Sequence, residues 1–253
     1  MGIKGLFSFL NKWSKPLPTI QGRIGLDLFY FLYQSRGDLD VIKRLLAYPM
    51  EGAHAVLDGA AKSEPSERRE ELDARKEARK RVRGEMERLL EAPMDEMDAA
   101  GRAIVREKVR TLGRQAWTPS RDYIEEVVAW LEGEGAVVHR AEGEADGYLV
   151  NLEREGVIDV IISNDSDIIA LGAKRLVRPS NTLFDTEYIR EQMGFSQRQW
   201  EDFIVLCKNM RETDVVLAYS LISVYKRKEM AVERWEEVNG KRLMRSDVCG
   251  GTS

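Results

Sequence analysis

The sequence predicts an α/β fold: a central, mostly parallel mixed sheet flanked by helices, with one long helical insertion. Two observations carry that prediction. Short apolar runs recur along the chain, that from Val157 to Ser163 with the β-branched character of a strand buried on both faces, as in a largely parallel sheet. Residues 66 to 115 lack any such alternation and read as long, highly charged helices.

The strands follow in order. Arg23-Ile24-Gly25-Leu26 leads into Asp27, and His54-Ala55-Val56-Leu57 leads into Asp58. Ala136-Val137-Val138-His139 is the next candidate, followed by Glu142 and Glu144, which open a helix running through Asp146, Tyr148 and Leu152. Val157 to Ser163 has the character of a strand buried on both faces, with Asp165 and Asp167 just past its end, and Leu176 to Arg178 is the last strand expected. Phe29, Tyr30, Phe31 and Tyr33 follow Asp27 within two helical turns, so most of them belong to the core. Trp117, Trp130 and Trp200 sit among apolar neighbours and are read as core, and His54 and His139 as structural.

In open α/β sheets ligands bind at the carboxyl ends of the strands, where these acids fall. A single Asp after a strand is more often a turn former or helix cap, and Asp58-Gly59 alone reads as a turn. The joint pattern is different, because separate turns have no reason to place an acid after one apolar strand after another. If the strand ends converge, Asp27, Asp58, Glu142, Glu144, Asp165 and Asp167 share one space, which like-charge repulsion forbids without cations. Hard cations such as Mg²⁺ take oxygen ligands, and paired metals are the usual apparatus of phosphodiester hydrolysis. Asp165-Ser166-Asp167 also suits a haloacid-dehalogenase-type phosphatase, but Ile168-Ile169 stands where that reading expects a Thr.

Composition agrees with an intracellular enzyme. The chain has 253 residues and 43% hydrophobic content, enough for a large core. Cys207 and Cys249 imply no disulfide framework, so a reducing setting is expected. No apolar run reaches a membrane span and no secretory segment is expected. Leu6 stands where a myristoylation signal from Gly2 would need Ser or Thr. A net charge of −4 bears less on a nucleic-acid partner than where the charges lie.

Met1-Gly2-Ile3-Lys4-Gly5-Leu6, Asp27 ahead of Tyr33, Leu57-Asp58-Gly59, Ala141-Glu142-Gly143-Glu144-Ala145-Asp146 and Asn164-Asp165-Ser166-Asp167 occur in series. In this order and spacing the chain resembles the flap endonuclease and XPG-like family of structure-specific 5′-nucleases, over roughly residues 1 to 210. The resemblance implies a PIN-like 5′-nuclease fold over 1–253, a helical arch insertion at 60–116 and a diverged helical region at 200–253. It implies that the same six carboxylates surround two Mg²⁺ ions, for which Mn²⁺ substitutes. Asp214, one residue out of register and with Glu212 behind it, is the candidate for the last metal-binding aspartate.

Lys62 and Arg69 are seven apart and share a face on a continuous helix. The family places a lysine and an arginine at this spacing against the scissile phosphate. Pro65 interrupts the interval, and Arg68 is the alternative to Arg69. Gly2 is implied near the DNA junction, and Tyr33 in stacking on the base beside the cleaved bond, a contact of about 1–3 kcal/mol. Glu91 to Asp95, with Pro93, breaks the charged run into a hairpin. Its basic stretch from Arg75 to Arg83, including Lys76, Arg79, Lys80 and Arg83, suits a funnel for a single-stranded 5′ flap. The same residues suit a solvated face with ion pairs such as Glu71 with Arg75.

Past residue 200 the motifs diverge. No closely spaced glycine pair occurs between Asp214 and Glu237, where the family grips duplex DNA; Val215 to Tyr225 reads as a buried apolar segment, followed by Lys226, Arg227 and Lys228 as an electrostatic contact. The aromatic pair of a sliding-clamp peptide is absent, so clamp recruitment is not expected. The compact chain is similar to family members encoded by large DNA viruses, and a nucleus or viral replication site is the expected location. The expected partner is branched, nicked or flapped DNA in replication, repair or recombination, with no small-molecule substrate. Competing readings are a 5′-3′ exonuclease or RNase-H-like activity on nicked or primer-bearing duplexes, and a non-catalytic junction binder.

Overall fold

Apolar strand formers alternating with side-chain-capped helices build the sheet in the computed structural model, which describes residues 3–16, 19–20, 22–59, 66–209, 215–216 and 218–223. In chain order the elements are α1 (Leu6–Leu10), β1 (Lys15–Pro16), β2 (Ile24–Asp27), α2 (Leu28–Ser35), α3 (Leu39–Leu45) and β3 (His54–Leu57). Then come α4 (Ser66–Leu90), α5 (Ala99–Ala116), α6 (Arg121–Gly133), β4 (Val137–Arg140), α7 (Ala145–Arg154) and β5 (Val160–Ile162). The remainder is α8 (Asp167–Ala170), β6 (Arg175–Arg178), β7 (Thr182–Asp185), α9 (Thr186–Met193) and α10 (Gln197–Asn209). The strand order is β1-β7-β6-β5-β2-β3-β4. The chain divides into two compact units, one of residues 16–164 and 173–183, the other of 1–15, 165–172 and 184–253.

In the larger unit β6, β5, β2, β3 and β4 are neighbours and every pairing is parallel. Parallel pairing requires long crossovers, which the helices supply, whereas the three residues between β6 and β7 permit only an antiparallel turn. Leu26, Ala55, Leu57, Val160, Ile162 and Val177 on the strands meet Leu28, Phe31, Leu32, Val127 and Leu131 from α2 and α6 in one buried core. Gly25 lets α7 approach β2: a Cβ there would stand 2.8 Å from Leu149 and 2.4 Å from Ile158. Asp38, Asp98 and Ser120 cap α3, α5 and α6 through backbone N–H groups.

The charged run is a helical hairpin, α4 and α5, turned through a short 3₁₀ segment at Met94–Glu96. Lys108 reaches across to Glu85 at 2.7 Å. Trp117 and Trp130 are partly buried against the core, as read from the sequence.

In the smaller unit, rings from distant parts of the chain pack together. Phe9 lies 5.9 Å from Phe203 and 5.5 Å from Tyr219, and Tyr219 lies 5.5 Å from Phe195. Lys12 Nζ sits 3.9 Å from the Trp13 ring centroid. Trp200 is buried, at 5.7 Å from Phe203.

Two readings need correction. The strand expected from Val157 to Ser163 is only Val160–Ile162, because the N–H groups of Val157 and Ile158 turn back to the Leu152 carbonyl and close α7 instead. The segment from Val215 is buried on one side only: Val215, Ala218 and Ile222 point inward at helical spacing, while Val216 and Leu221 are exposed. Apolar composition alone did not separate a buried helix from an amphipathic one.

The histidines are structural, as expected. The rings of His54 and His139 are nearly coplanar, 8° apart with centroids 5.1 Å apart, and Nδ1 of His54 lies 2.8 Å from Nε2 of His139. They therefore meet edge to edge in one plane. Tyr148 Oη stands 3.2 Å from the other His139 nitrogen, joining β3, β4 and α7. Burial lowers both pKa values below the usual 6.5, with the His139 and Arg23 charges adding to the shift at His54. The unfolded chain therefore takes up protons first as pH falls. The pair's stability is full above 6.5 and is lost as pH descends from there through the lowered folded values. Urea midpoints followed from about pH 7.5 to 5 should fall in the parent and flatten in His54→Phe. An unchanged slope would assign the dependence elsewhere.

Candidate functional site

Strand register decides which side chains stand together at the carboxyl edge. Asp27 is opposite Val56, and Val56 opposite His139. One residue beyond the pairs Leu26–Ile162 and Ile162–Val177 come Ser163 and Arg178. A single row across the sheet thus reads His139, Val56, Asp27, Ser163, Arg178, and side chains of one row share a face. Ser163 is fully buried and donates its hydroxyl to Asp27 Oδ2 at 2.9 Å, while Asp27 Oδ1 accepts the Tyr30 N–H at 3.4 Å and caps α2. Arg178 donates Nε to Asn164 Oδ1 at 2.8 Å. The Tyr30 phenol is raised by burial and by Asp27, with the Arg178 guanidinium opposing them, so Tyr30 feels both charges of the row.

Asp58 and Gly59 lie past the end of β3 against the loop that follows β4. The Ala141 N–H donates to Leu57 O at 2.9 Å and the Gly59 N–H to Gly143 O at 2.8 Å. A Cβ on Gly59 would fall 1.8 Å from the Ala141 carbonyl oxygen, so only glycine permits this contact. Asp58 Oδ1 accepts the Ala145 N–H at 2.8 Å. Glu144, at the N-cap of α7, makes no side-chain cap bond, so Asp58 satisfies that helix end from another strand. Asp58, Glu142 and Glu144 are exposed and Asp27 is half-buried.

Asp165 and Asp167 belong to the smaller unit, following β5 in the chain. Asp165 Oδ1 accepts the Asp167 N–H at 2.9 Å as α8 begins, and buried Ser166 donates to Ile3 O at 3.1 Å. Both aspartates are half-buried.

Among the described residues no three His, Cys, Asp or Glu side chains form a group able to hold a metal ion. The donors at the strand ends are all carboxylate oxygens, a set whose chemistry fits a hard divalent cation. Tyr33 is 39% exposed, with Trp117 edge-on at 5.9 Å and Phe29 at 6.4 Å. Lys76 and Lys80 are exposed on α4, as is Arg83, and Arg79 is half-buried; Lys76 pairs with Asp73 at 3.0 Å. Gly2, Lys62, Asp214, Lys226, Arg227 and Lys228 lie outside the described residues, as do the side chains of Arg68 and Arg69 in the first turn of α4. Cys207 is buried and its thiol is pushed up to about 12, which leaves it no nucleophilic role. The sequence reading missed Ser163, Asn164 and Arg178 as parts of the edge. The signal available was the one used for Asp27: a polar residue closing an apolar strand.

A family model for the XPG I-region matches residues 135–212, from just before β4 through α10. Within those bounds the chain carries an XPG I-region. The XPG I-region contains Glu142, Glu144, Asp165, Asp167 and Arg178. The chain is similar to flap endonuclease GEN-like 1 of Oryza sativa subsp. japonica, 29% identical over 140 residues, which cover 55% of this chain and 19% of the rice protein. It thus spans about a fifth of that relative's length. Among solved structures, the catalytic core of Rad2 in complex with DNA substrate superposes with a TM-score of 0.60 at 17% identity, over 98% of this chain and 78% of that one. Flap endonuclease-1 from Methanococcus jannaschii gives 0.54 at 13% identity, over 86% and 76%. Human GEN1 in complex with Holliday junction DNA gives 0.53 at 14%, over 94% and 61%. These likenesses establish the shared fold.

Gly59→Ala should destabilise the protein by more than about 2 kcal/mol in urea unfolding, because backbone rather than a movable side chain blocks the new methyl. A loss below about 0.5 kcal/mol would mean that the loop after β4 shifts freely.

Proposed function

We propose that this chain is a metal-dependent, structure-specific nuclease that hydrolyses phosphodiester bonds at 5′ flaps or junctions of branched DNA. The observation that carries the proposal is that the XPG I-region coincides with acids following strand ends, Glu142, Glu144, Asp165 and Asp167, while Asp27 ends and Asp58 follows two further parallel strands. The DNA-bound Rad2 core and the junction-bound GEN1 share the fold and support DNA as the partner.

In this reading Asp27, Asp58, Glu142, Glu144, Asp165 and Asp167, with Asp214, are the residues that would hold two Mg²⁺ ions. When bound, such cations supply the Lewis acidity that phosphodiester hydrolysis requires. The chain's own contribution is orientation. Ser163 holds one oxygen of Asp27, and Asp58 is held at the start of α7. Lys62 with Arg69 or Arg68 would stabilise charge on the transferring phosphate. Tyr33, exposed at the end of α2, would take an unpaired base, and Lys76, Arg79, Lys80 and Arg83 would attract the displaced strand without reading its sequence.

Cleavage of a 5′-labelled single-flap DNA in Mg²⁺ tests the proposal, with nicked, gapped and RNA–DNA ends beside it. The parent should release product near the junction, and Asp27→Asn and Asp165→Asn should abolish release while still binding the flap. Asp58→Asn separates two roles, since the amide keeps an oxygen for the Ala145 N–H. Stability should stay within about 0.5 kcal/mol of the parent while cleavage is lost. Junction binding without turnover in Mg²⁺ or Mn²⁺ would replace the nuclease with a junction-binding protein.

A further inference from the structure

We infer that Lys12 and Lys15, each held over aromatic rings in the smaller unit, are phosphate contacts for the duplex part of a DNA substrate. The inference rests on the DNA reading above and adds residues that reading does not use. Residues 1 to 16 include Lys4, Lys12 and Lys15 and no aspartate or glutamate, in a chain whose net charge is −4. Lys12 follows α1 in a short 3₁₀ turn, Asn11–Trp13, and Lys15 opens β1; both are exposed.

The rings fix where the charges stand. Lys12 Nζ lies 4.4 Å from the Phe9 centroid, 3.9 Å from that of Trp13 and 5.3 Å from that of Tyr219, and Lys15 Nζ lies 3.4 Å from that of Tyr188. The shelf under Lys12 is itself anchored, since Phe9 packs on Phe203 and Tyr219 on Phe195. An exposed lysine ordinarily loses rotamer freedom when it binds a phosphate, and a ring beneath the ammonium removes part of that cost beforehand. Neutral rings orient the charge without cancelling it, and among the described residues neither ammonium has a carboxylate partner. The acids beside Tyr188 are engaged elsewhere: Asp185 accepts the Tyr188 N–H at 3.0 Å, and Glu187 lies 3.9 Å from Arg190.

The same geometry selects the partner. Single strands are gripped by stacking their bases on open ring faces, and here the ammonium groups lie over the rings. A duplex keeps its bases stacked on one another and offers its phosphates, which point charges hold without reading sequence. Position agrees. The Ile3 carbonyl accepts from Ser166, between Asp165 and Asp167, and the mostly helical chain from Ile3 to Lys12 spans about 15 Å, under half of a duplex turn of about 34 Å.

The test is fluorescence anisotropy in EDTA across a salt series, with a blunt duplex, a single strand of the same length and a single-flap DNA, so that neither metals nor cleavage enter. Lys12→Gln combined with Lys15→Gln should lower the slope of log affinity against log salt by about two on duplex and flap, and each single change by about one, while single-strand binding stays as in the parent. Lys12→Arg should keep the slope. Thermal midpoints confirm folding, and Lys12→Met, whose apolar stem keeps the ring contact without the charge, serves if the glutamine variant is not folded. Unchanged slopes in the folded double variant, or an equal loss on the single strand, would overturn this inference and leave both lysines as ring-packed surface residues. Failure of the parent to bind any of the three DNAs would overturn the DNA reading itself.

Discussion

The N–H of Gly59 meets the Gly143 carbonyl at 2.8 Å, and the glycine lies so close to Ala141 that no side chain fits between them. That contact extends the β3–β4 pairing past the last regular residues, through the Ala141 N–H bond to Leu57. It determines where Asp58 stands, and Asp58 in turn accepts the first N–H of α7. Glu142 and Glu144 flank Gly143, the residue that accepts from Gly59, so two carboxylate-bearing segments are fastened by backbone bonds together with the Asp58 side chain. Fastened so, they can be held near one another despite their mutual repulsion.

On the neighbouring strands a different device serves the same end. Ser163 is buried and donates to Asp27 at 2.9 Å, so the orientation of that aspartate draws on a hydroxyl from β5's extension. A hydrogen bond to a carboxylate is stronger than one between neutral groups, and burial protects it from water. Arg178 completes the row with a positive charge. The edge is therefore a graded field of acids ending in a cation, not a uniform acidic patch, and a net charge of −4 describes none of that distribution.

The acids that follow β5 are arranged locally. Asp165 accepts the Asp167 N–H and starts α8, while buried Ser166 ties the turn to the Ile3 carbonyl. The short acidic motif thus carries its own capping as well as its charges. Rings from residues 9 to 219 pack in this unit, so the N-terminal helix and the helical segment after residue 215 depend on one another through Phe9, Phe203 and Tyr219.

Local patterning determined a good deal of this molecule. The runs ending at Asp27 and Asp58 are strands because short apolar runs suit a doubly buried sheet, and the charged stretch is a hairpin because Pro93 breaks an otherwise helical run. The acidic motifs could be read as well, since a carboxylate after a buried strand stands out from its neighbours. What only tertiary structure decided was pairing. The backbone N–H groups of Val157 and Ile158 went to closing α7 rather than to the sheet, and the one-sided burial of Val215, Ala218 and Ile222 required a surface on which to lie. Ser163, Asn164 and Arg178 look ordinary in the sequence, and they became part of the edge only when parallel register set β5 between β2 and β6. Register is a long-range property: it depends on which strands become neighbours, and no local window of residues contains that information.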